Sequence, residues 1–180
     1  LTNTPNTFPI LILIGRPAAG KSEVIDYLKN LSDEERRTRF HIAPFVEIDD
    51  FVWVWETFED DDIRSKHNRP RLHTTPDYHF LDPFIWNLFI EKMNLAVAKI
   101  ARAPDFLNDH TIVLEFARGG EHGFGEAFSY LSNDILQRAV IVYINVSYAE
   151  SVRKNRKRAR PGLEDSILYH SLTDAKMEYY

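Results

Sequence analysis

The chain has 180 residues, is 44% hydrophobic, carries a formal net charge of −5 and contains no cysteine. That length and apolar content provide one domain with a core of ordinary size. The missing cysteines exclude disulfides, thiolate metal sites and thiol nucleophiles, and the acidic balance argues against a nucleic-acid-coating surface while leaving a local basic groove open.

The N-terminus is uncharged, and its apolar run Ile10–Ile14 is too short for a signal-peptide core or a membrane span. A cytoplasmic protein is expected, with Leu1 in place of methionine implying a processed or trimmed chain. Residues 9–14 read as a buried parallel strand. Directly after it stands Gly15-Arg16-Pro17-Ala18-Ala19-Gly20-Lys21-Ser22, the full G-x-x-x-x-G-K-S phosphate-binding loop, and a helix over 21–31 follows at the right spacing. The glycines let backbone N–H groups curl around phosphates, and the new helix offers its positive end to the same anion. Lys21 would reach the β- and γ-phosphates and the Ser22 hydroxyl would ligate Mg²⁺. These residues predict nucleoside triphosphate binding.

Further along, Phe45-Val46-Glu47-Ile48 is a second strand ending at Asp49-Asp50, and residues 51–63 can form a helix. A Pro- and His-rich loop runs from Lys66 to Tyr78. Pro83 looks like the first-turn proline of a helix reaching about Ile100, with Asp82 as its cap. Thr111–Phe116 is a third strand. A loop with Gly119, Gly120, Gly123 and Gly125 leads to a helix from about Glu126 to Gln137, then a fourth strand, Ala139–Ile144. A basic helix from about Tyr148 to Ala159 stops before Pro161-Gly162. No repeat, linker or domain boundary interrupts residues 1–180. Alternating β and α with apolar strands predicts a three-layer α/β fold around a parallel sheet.

Asp49 and Asp50 lie where the second strand opens onto the ligand crevice, and a carboxylate there can take an acceptor proton or help hold Mg²⁺. Side chains alternate along a strand, so the two need not share a role, and either can instead cap the next helix, Asp50 especially. Glu115 ends an otherwise apolar strand, in the usual place for an acid that orders Mg²⁺ through water. Arg118 follows three residues later, and the plain alternative is a Glu115–Arg118 ion pair without ligand. On the basic helix Arg153, Arg156, Lys157 and Arg160 share a face. They form either a solvated charge run or a lid that meets transition-state charge, in which Arg156 and Arg160 are favoured. Arg69 and Arg71 either hold an anion on an acceptor or belong to an ordinary polar loop. Trp53, Trp55, Phe58 and the aromatics around Phe84–Phe89 read as core rather than as a stacking platform. The seven histidines show no metal-ligand spacing.

The guanine-reading N-K-x-D and the D-x-x-G switch of GTPases are both missing. The chain resembles P-loop kinases of the broad nucleoside-monophosphate-kinase-like group. Gly15–Ser22 followed by Ile48-Asp49-Asp50-Phe51 is similar to polynucleotide 5′-hydroxyl kinases, chloramphenicol phosphotransferases, zeta-toxin-type kinases and gluconate or shikimate kinases. The loop, with Glu115-Phe116-Ala117-Arg118-Gly119, also resembles a group of uncharacterised bacterial P-loop proteins, which brings no acceptor with it. Alignment on polynucleotide and chloramphenicol kinases implies Asp49 as base; alignment on gluconate kinase implies Asp50. Glu115 and Arg118 loosely resemble the Glu-Arg and Asp-Arg pairs of deoxynucleoside and thymidylate kinases, with different spacing. The resemblance implies sheet order 2-3-1-4-5, an acceptor-site insertion over about 51–82, and an Arg-rich lid over about 150–165. Since the sequence stops at Tyr179-Tyr180, the chain is either unusually short or a fragment lacking the fifth strand. Implied overall is an ATP- and Mg²⁺-dependent phosphotransferase acting on a small-molecule or nucleotide acceptor. In that reading Lys21, Asp49, Asp50, Arg118, Arg156 and Arg160 are catalytic, and Ser22, Asp50 and Glu115 handle the metal. The alternatives are a polynucleotide 5′-hydroxyl kinase, not favoured, and a nucleotide-binding regulatory domain without transfer activity. No membrane partner is expected.

Overall fold

The computed structural model describes residues 7–103, 105–158 and 172–179. Four parallel strands, β1 (Ile10–Gly15), β2 (Phe45–Asp49), β3 (Thr111–Phe116) and β4 (Ala139–Ile144), form one sheet in the order β2-β3-β1-β4. Around it stand α1 (Lys21–Asn30), α2 (Asp33–Phe40), α3 (Asp50–Lys66), α4 (Ile85–Ile100), α5 (Phe106–Asp109), α6 (Phe124–Tyr130), α7 (Asn133–Arg138), α8 (Tyr148–Arg158) and α9 (Asp174–Tyr179). The four strands lie where the apolar runs predict them. No helix among the described residues is long and apolar enough to cross a membrane.

Strand alternation sorts the core into two faces. Ile10, Ile12 and Ile14, with Ile112, Leu114 and Phe116, pack against Ile90, Met93 and Val97 of α4 and against Ala127, Leu131 and Ile135 around α6 and α7. Leu11, Leu13 and Val113 turn the other way, onto Ile25 and Leu28 of α1 and onto Ile42. β1 and β3 are therefore buried along their whole length, as parallel strands covered on both faces must be. The outer strand β4 differs: Ile141, Val142 and Tyr143 are exposed despite its apolar sequence.

Three elements depart from expectation. Helix α2 was not legible because it has no apolar face and buries no residue; Ser32 caps it by accepting from the Glu35 N–H, and Asp33 pairs with Arg36 and Arg37. The single helix expected over 126–137 is two. It breaks at Leu131-Ser132 because the Ser132 hydroxyl accepts from the Ile135 N–H and starts a new helix, while its own N–H donates to Asn94 Oδ1 at 3.0 Å, the local competition that serine offers to a continuing helix. Helix α4 begins at Ile85; Pro83 and Phe84 form a preceding turn in which Asp82 accepts from the Phe84 N–H.

The connection between α3 and α4 is long, and one carboxylate organises it. Asp61, fully buried, accepts from the backbone N–H groups of Leu72 (2.7 Å), His73 (3.0 Å) and Thr74 (2.7 Å) and from the Thr74 hydroxyl (2.8 Å). Burial pushes this carboxyl up, but the four donors outweigh it and bring it down to about 2. Its contribution to stability is therefore present above the unfolded carboxylate value and is lost as pH falls toward 2. Asp61→Ala orphans three backbone donors and is expected to cost more than about 2 kcal/mol. Urea melts at pH 7 and pH 3 measure this, and the gap between wild type and variant should narrow at the lower pH.

Candidate functional site

The phosphate-binding loop takes the shape its sequence demands. Ala18 (φ 56°) and Gly20 (φ 110°) both turn left-handed, the Ala19 N–H donates to the Arg16 carbonyl, and Gly20 stands at the N-terminus of α1 with no side chain capping the first amides. Amides left uncapped at a helix N-terminus can receive an anion. Gly15 allows close packing: a Cβ there would stand 3.0 Å from the Ile144 carbonyl oxygen and 3.2 Å from Ala19 Cβ. The Arg16 side chain turns away, donating to the Met177 carbonyl and lying over the Tyr148 ring.

Sheet register assembles the charged residues. Leu13 of β1 is level with Glu115 of β3, and Glu115 is level with Asp49 of β2. By alternation Glu115 and Asp49 point to the α1 side of the sheet, at the carboxyl ends of neighbouring strands. Lys21, the first residue of α1, places Nζ 3.7 Å from Glu115 Oε1, with both side chains 8% exposed. Burial pushes the Glu115 carboxyl up to about 7, against the pull of Lys21. Asp49 rises to about 6, again through burial, opposed by the Phe51 N–H it accepts and by Lys21. Asp49 and Glu115 thus line one cleft beside Lys21, and Asp50 lines it beside Arg118.

The two aspartates divide as alternation requires, although the capping role falls on Asp49 rather than Asp50. Asp49 is the N-cap of α3, accepting from the Phe51 N–H at 2.9 Å, and still lines the cleft. Asp50 is buried against Arg118, with Nη1 2.5 Å from Oδ2. Burial raises its carboxyl while the guanidinium pulls it down. Arg118 also donates to the Trp86 carbonyl and lies between the Trp86 and Phe116 rings. The Arg118 ion pair is therefore with Asp50, not Glu115.

Helix α8 sits against the loop through residues the sequence did not single out. The Ser151 hydroxyl donates to the Pro17 carbonyl (2.6 Å), Lys154 Nζ donates to the Ala19 carbonyl (3.1 Å), and buried Asn155 exchanges two hydrogen bonds with the Leu172 backbone. Arg153 pairs with Glu150 on the outer face. Arg156 is exposed and does not line the cleft, and Arg160 lies outside the described residues.

A cleft of about 820 Å³ connects these parts. One end holds Ala18, Lys21, Ser22, Asp49 and Glu115. The other runs past Asp50 and Arg118 to Phe51, Phe58, Tyr78, Phe80 and Trp86, with Lys176 of α9 at its margin. Phe58 and Trp86 pack against the buried Val54, Ile85 and Phe89, as expected of core aromatics, and in addition line the cleft, which the sequence did not show. Helical and loop positions gave no period to show it, since these rings converge only when residues 67–84 fold back on α3. Arg71 is structural: it donates to Asp62 (2.6 Å) and to Thr74. Arg69 is exposed on the same loop.

Comparison with known proteins adds little to this geometry. No known family model matches the chain, and no curated protein matches it. A solved structure described as "Crystal structure of APE1195" is similar at 14% identity and a TM-score of 0.48, over 84% of this chain and 68% of that one. The assignment rests on the chain itself: an α/β fold with a four-stranded parallel sheet of order 2-3-1-4 and a phosphate-binding loop between β1 and α1, consistent with a P-loop NTPase core.

Proposed function

We propose that the protein is an ATP- and Mg²⁺-dependent phosphotransferase with a small-molecule acceptor. The observation that carries this reading is the placement of Asp49 in one cleft with the phosphate-binding loop on one side and an aromatic wall on the other. A nucleotide switch needs only the first half.

The loop amides and Lys21 would bind the β- and γ-phosphates. Mg²⁺ suits the donors present: Ser22 lines the cleft, and the buried Glu115 Oε2 has no hydrogen-bond partner. No three His, Asp or Glu side chains among the described residues converge on one point, but Mg²⁺ keeps several waters and takes most other ligands from phosphate. When bound, the ion would neutralise charge on the phosphate oxygens and in the surplus of carboxylates. Asp49 orients the acceptor hydroxyl and takes its proton; a carboxyl held near 6 is a better base than an ordinary one and still ionised at neutral pH. Asp50 acts through Arg118, fixing the guanidinium beside the site. Arg156 and Arg160 remain the proposed lid cations, reaching the phosphates on closure.

The approach to Asp49 is aromatic among the described residues rather than a basic stripe, which favours a small acceptor over a polynucleotide. Dependence on ATP fits the cytoplasm as the place of action.

Lys21→Ala should weaken ATP binding by ~10²-fold or more and, because Lys21 is buried beside Glu115, should also lower the melting temperature; calorimetry against MgATP at a temperature where the variant is folded decides it, and equal affinity would remove the loop from the site. Asp49→Asn should lower kcat ~10²–10⁴-fold with little change in ATP affinity. Its pH profile gives a second readout. A carboxylate base must be ionised, so wild-type kcat should fall as pH drops through about 6, and residual turnover of Asp49→Asn should lack that limb. ATP binding with no turnover on any acceptor would instead mark a regulatory domain.

A further inference from the structure

The far end of the cleft has a chemical character of its own. Phe51, Val54, Phe58, Tyr78, Phe80 and Trp86 line it. Phe58 is the centre of the group, with ring centroids 5.0 Å from Tyr78 and 5.4 Å from Phe80, and Phe80 meets Trp86 edge-on at 4.9 Å. Apart from the buried Val54 and the exposed Tyr78, these side chains are half-buried: packed on one side, facing the cleft on the other.

Among the described residues, the arginine and lysine side chains that line this end are already engaged. Arg118 is neutralised by Asp50. Lys176 Nζ donates to the carbonyls of Asp77 (3.2 Å) and Tyr78 (3.0 Å), lies over the Phe58 and Tyr78 rings, and has its pKa lowered by burial. On the loop, Arg71 is held by Asp62 and Thr74, and Arg69 is exposed and does not line the cleft. A phosphate or sugar-acid acceptor needs convergent cationic or hydroxyl-matching donors, and among the described residues this end offers mainly ring faces and edges, with His79 and Thr173 among the polar side chains of the cleft. Binding there rewards a flat apolar body.

Resting on the kinase reading above, we infer that the acceptor is an uncharged alcohol carrying an aromatic ring, its ring seated against Phe58 and its hydroxyl presented to Asp49. The transfer balances simply. The alcohol oxygen forms a bond to the γ-phosphorus, the bond from that phosphorus to the bridging oxygen breaks, and ADP leaves with the electron pair. The hydroxyl proton passes to Asp49, giving an alkyl phosphate monoester.

The probe is 2-phenylethanol, with gluconate and AMP as representatives of acidic and phosphorylated acceptors. Saturation-transfer NMR on the full chain should show contact with the ring of 2-phenylethanol. Phe58→Leu keeps the wall apolar, and Tyr78→Asn suits the positive φ of 57° at that position; each should weaken the contact about three- to tenfold, the worth of one aromatic contact. Absence of transfer, transfer untouched by both substitutions in variants that melt like wild type, or stronger binding of gluconate or AMP would overturn the aromatic acceptor. ADP release with MgATP and 2-phenylethanol is measured separately. Binding at Phe58 without ADP release would uphold the ring site and overturn the phosphotransferase reading instead.

Discussion

Everything in the cleft depends on burying an excess of carboxylate beside a lysine. Lys21 stands 3.7 Å from Glu115, Asp49 is the next strand's neighbour to Glu115, and Asp50 adds a third acid balanced by Arg118. Two cations stand against three acids in a partly dry site, and burial first, with the neighbouring carboxylates adding to it, raises Asp49 and Glu115. The arrangement is poorly suited to an isolated polyanion and well suited to one that arrives with a divalent counter-ion. This surplus of carboxylate is what the proposed Mg²⁺ would neutralise.

The frame that permits this burial is the parallel sheet. β1 and β3 are covered on both faces, so their register is fixed by every inward side chain, and a slip of one residue would move Glu115 to the opposite face. The apolar residues of β3 therefore position an acid they never touch.

Much of this was legible in the chain. Five consecutive apolar residues before Gly15 and an eight-residue loop pattern locate β1, the loop and α1 because backbone geometry there admits few other sequences. Asp49, Asp50, Glu115 and Arg118 could be picked out as polar residues ending apolar strands. Their pairing could not, because whether Arg118 meets Glu115 or Asp50 depends on the angle at which α3 leaves β2. The aromatic wall was hidden for a similar reason: Phe58, Tyr78, Phe80 and Trp86 come from α3, a loop and α4, and a ring facing a cleft looks in sequence like a ring facing a core. Ser151, Lys154 and Asn155 were overshadowed by the run of arginines around them, of which Arg153 and Arg156 are exposed.

The hold of Asp61 on Leu72, His73 and Thr74 separates two kinds of inheritance in this molecule. The loop part of the aromatic wall is tied to α3 by backbone amides, which any residue but proline can donate, while the residues proposed for phosphate chemistry are locked to strand register. Residues 75–82 are therefore free to diverge without retuning Lys21, Glu115 or Asp49. A protein built this way can acquire a new appetite by rewriting one short stretch of surface, keeping its engine untouched.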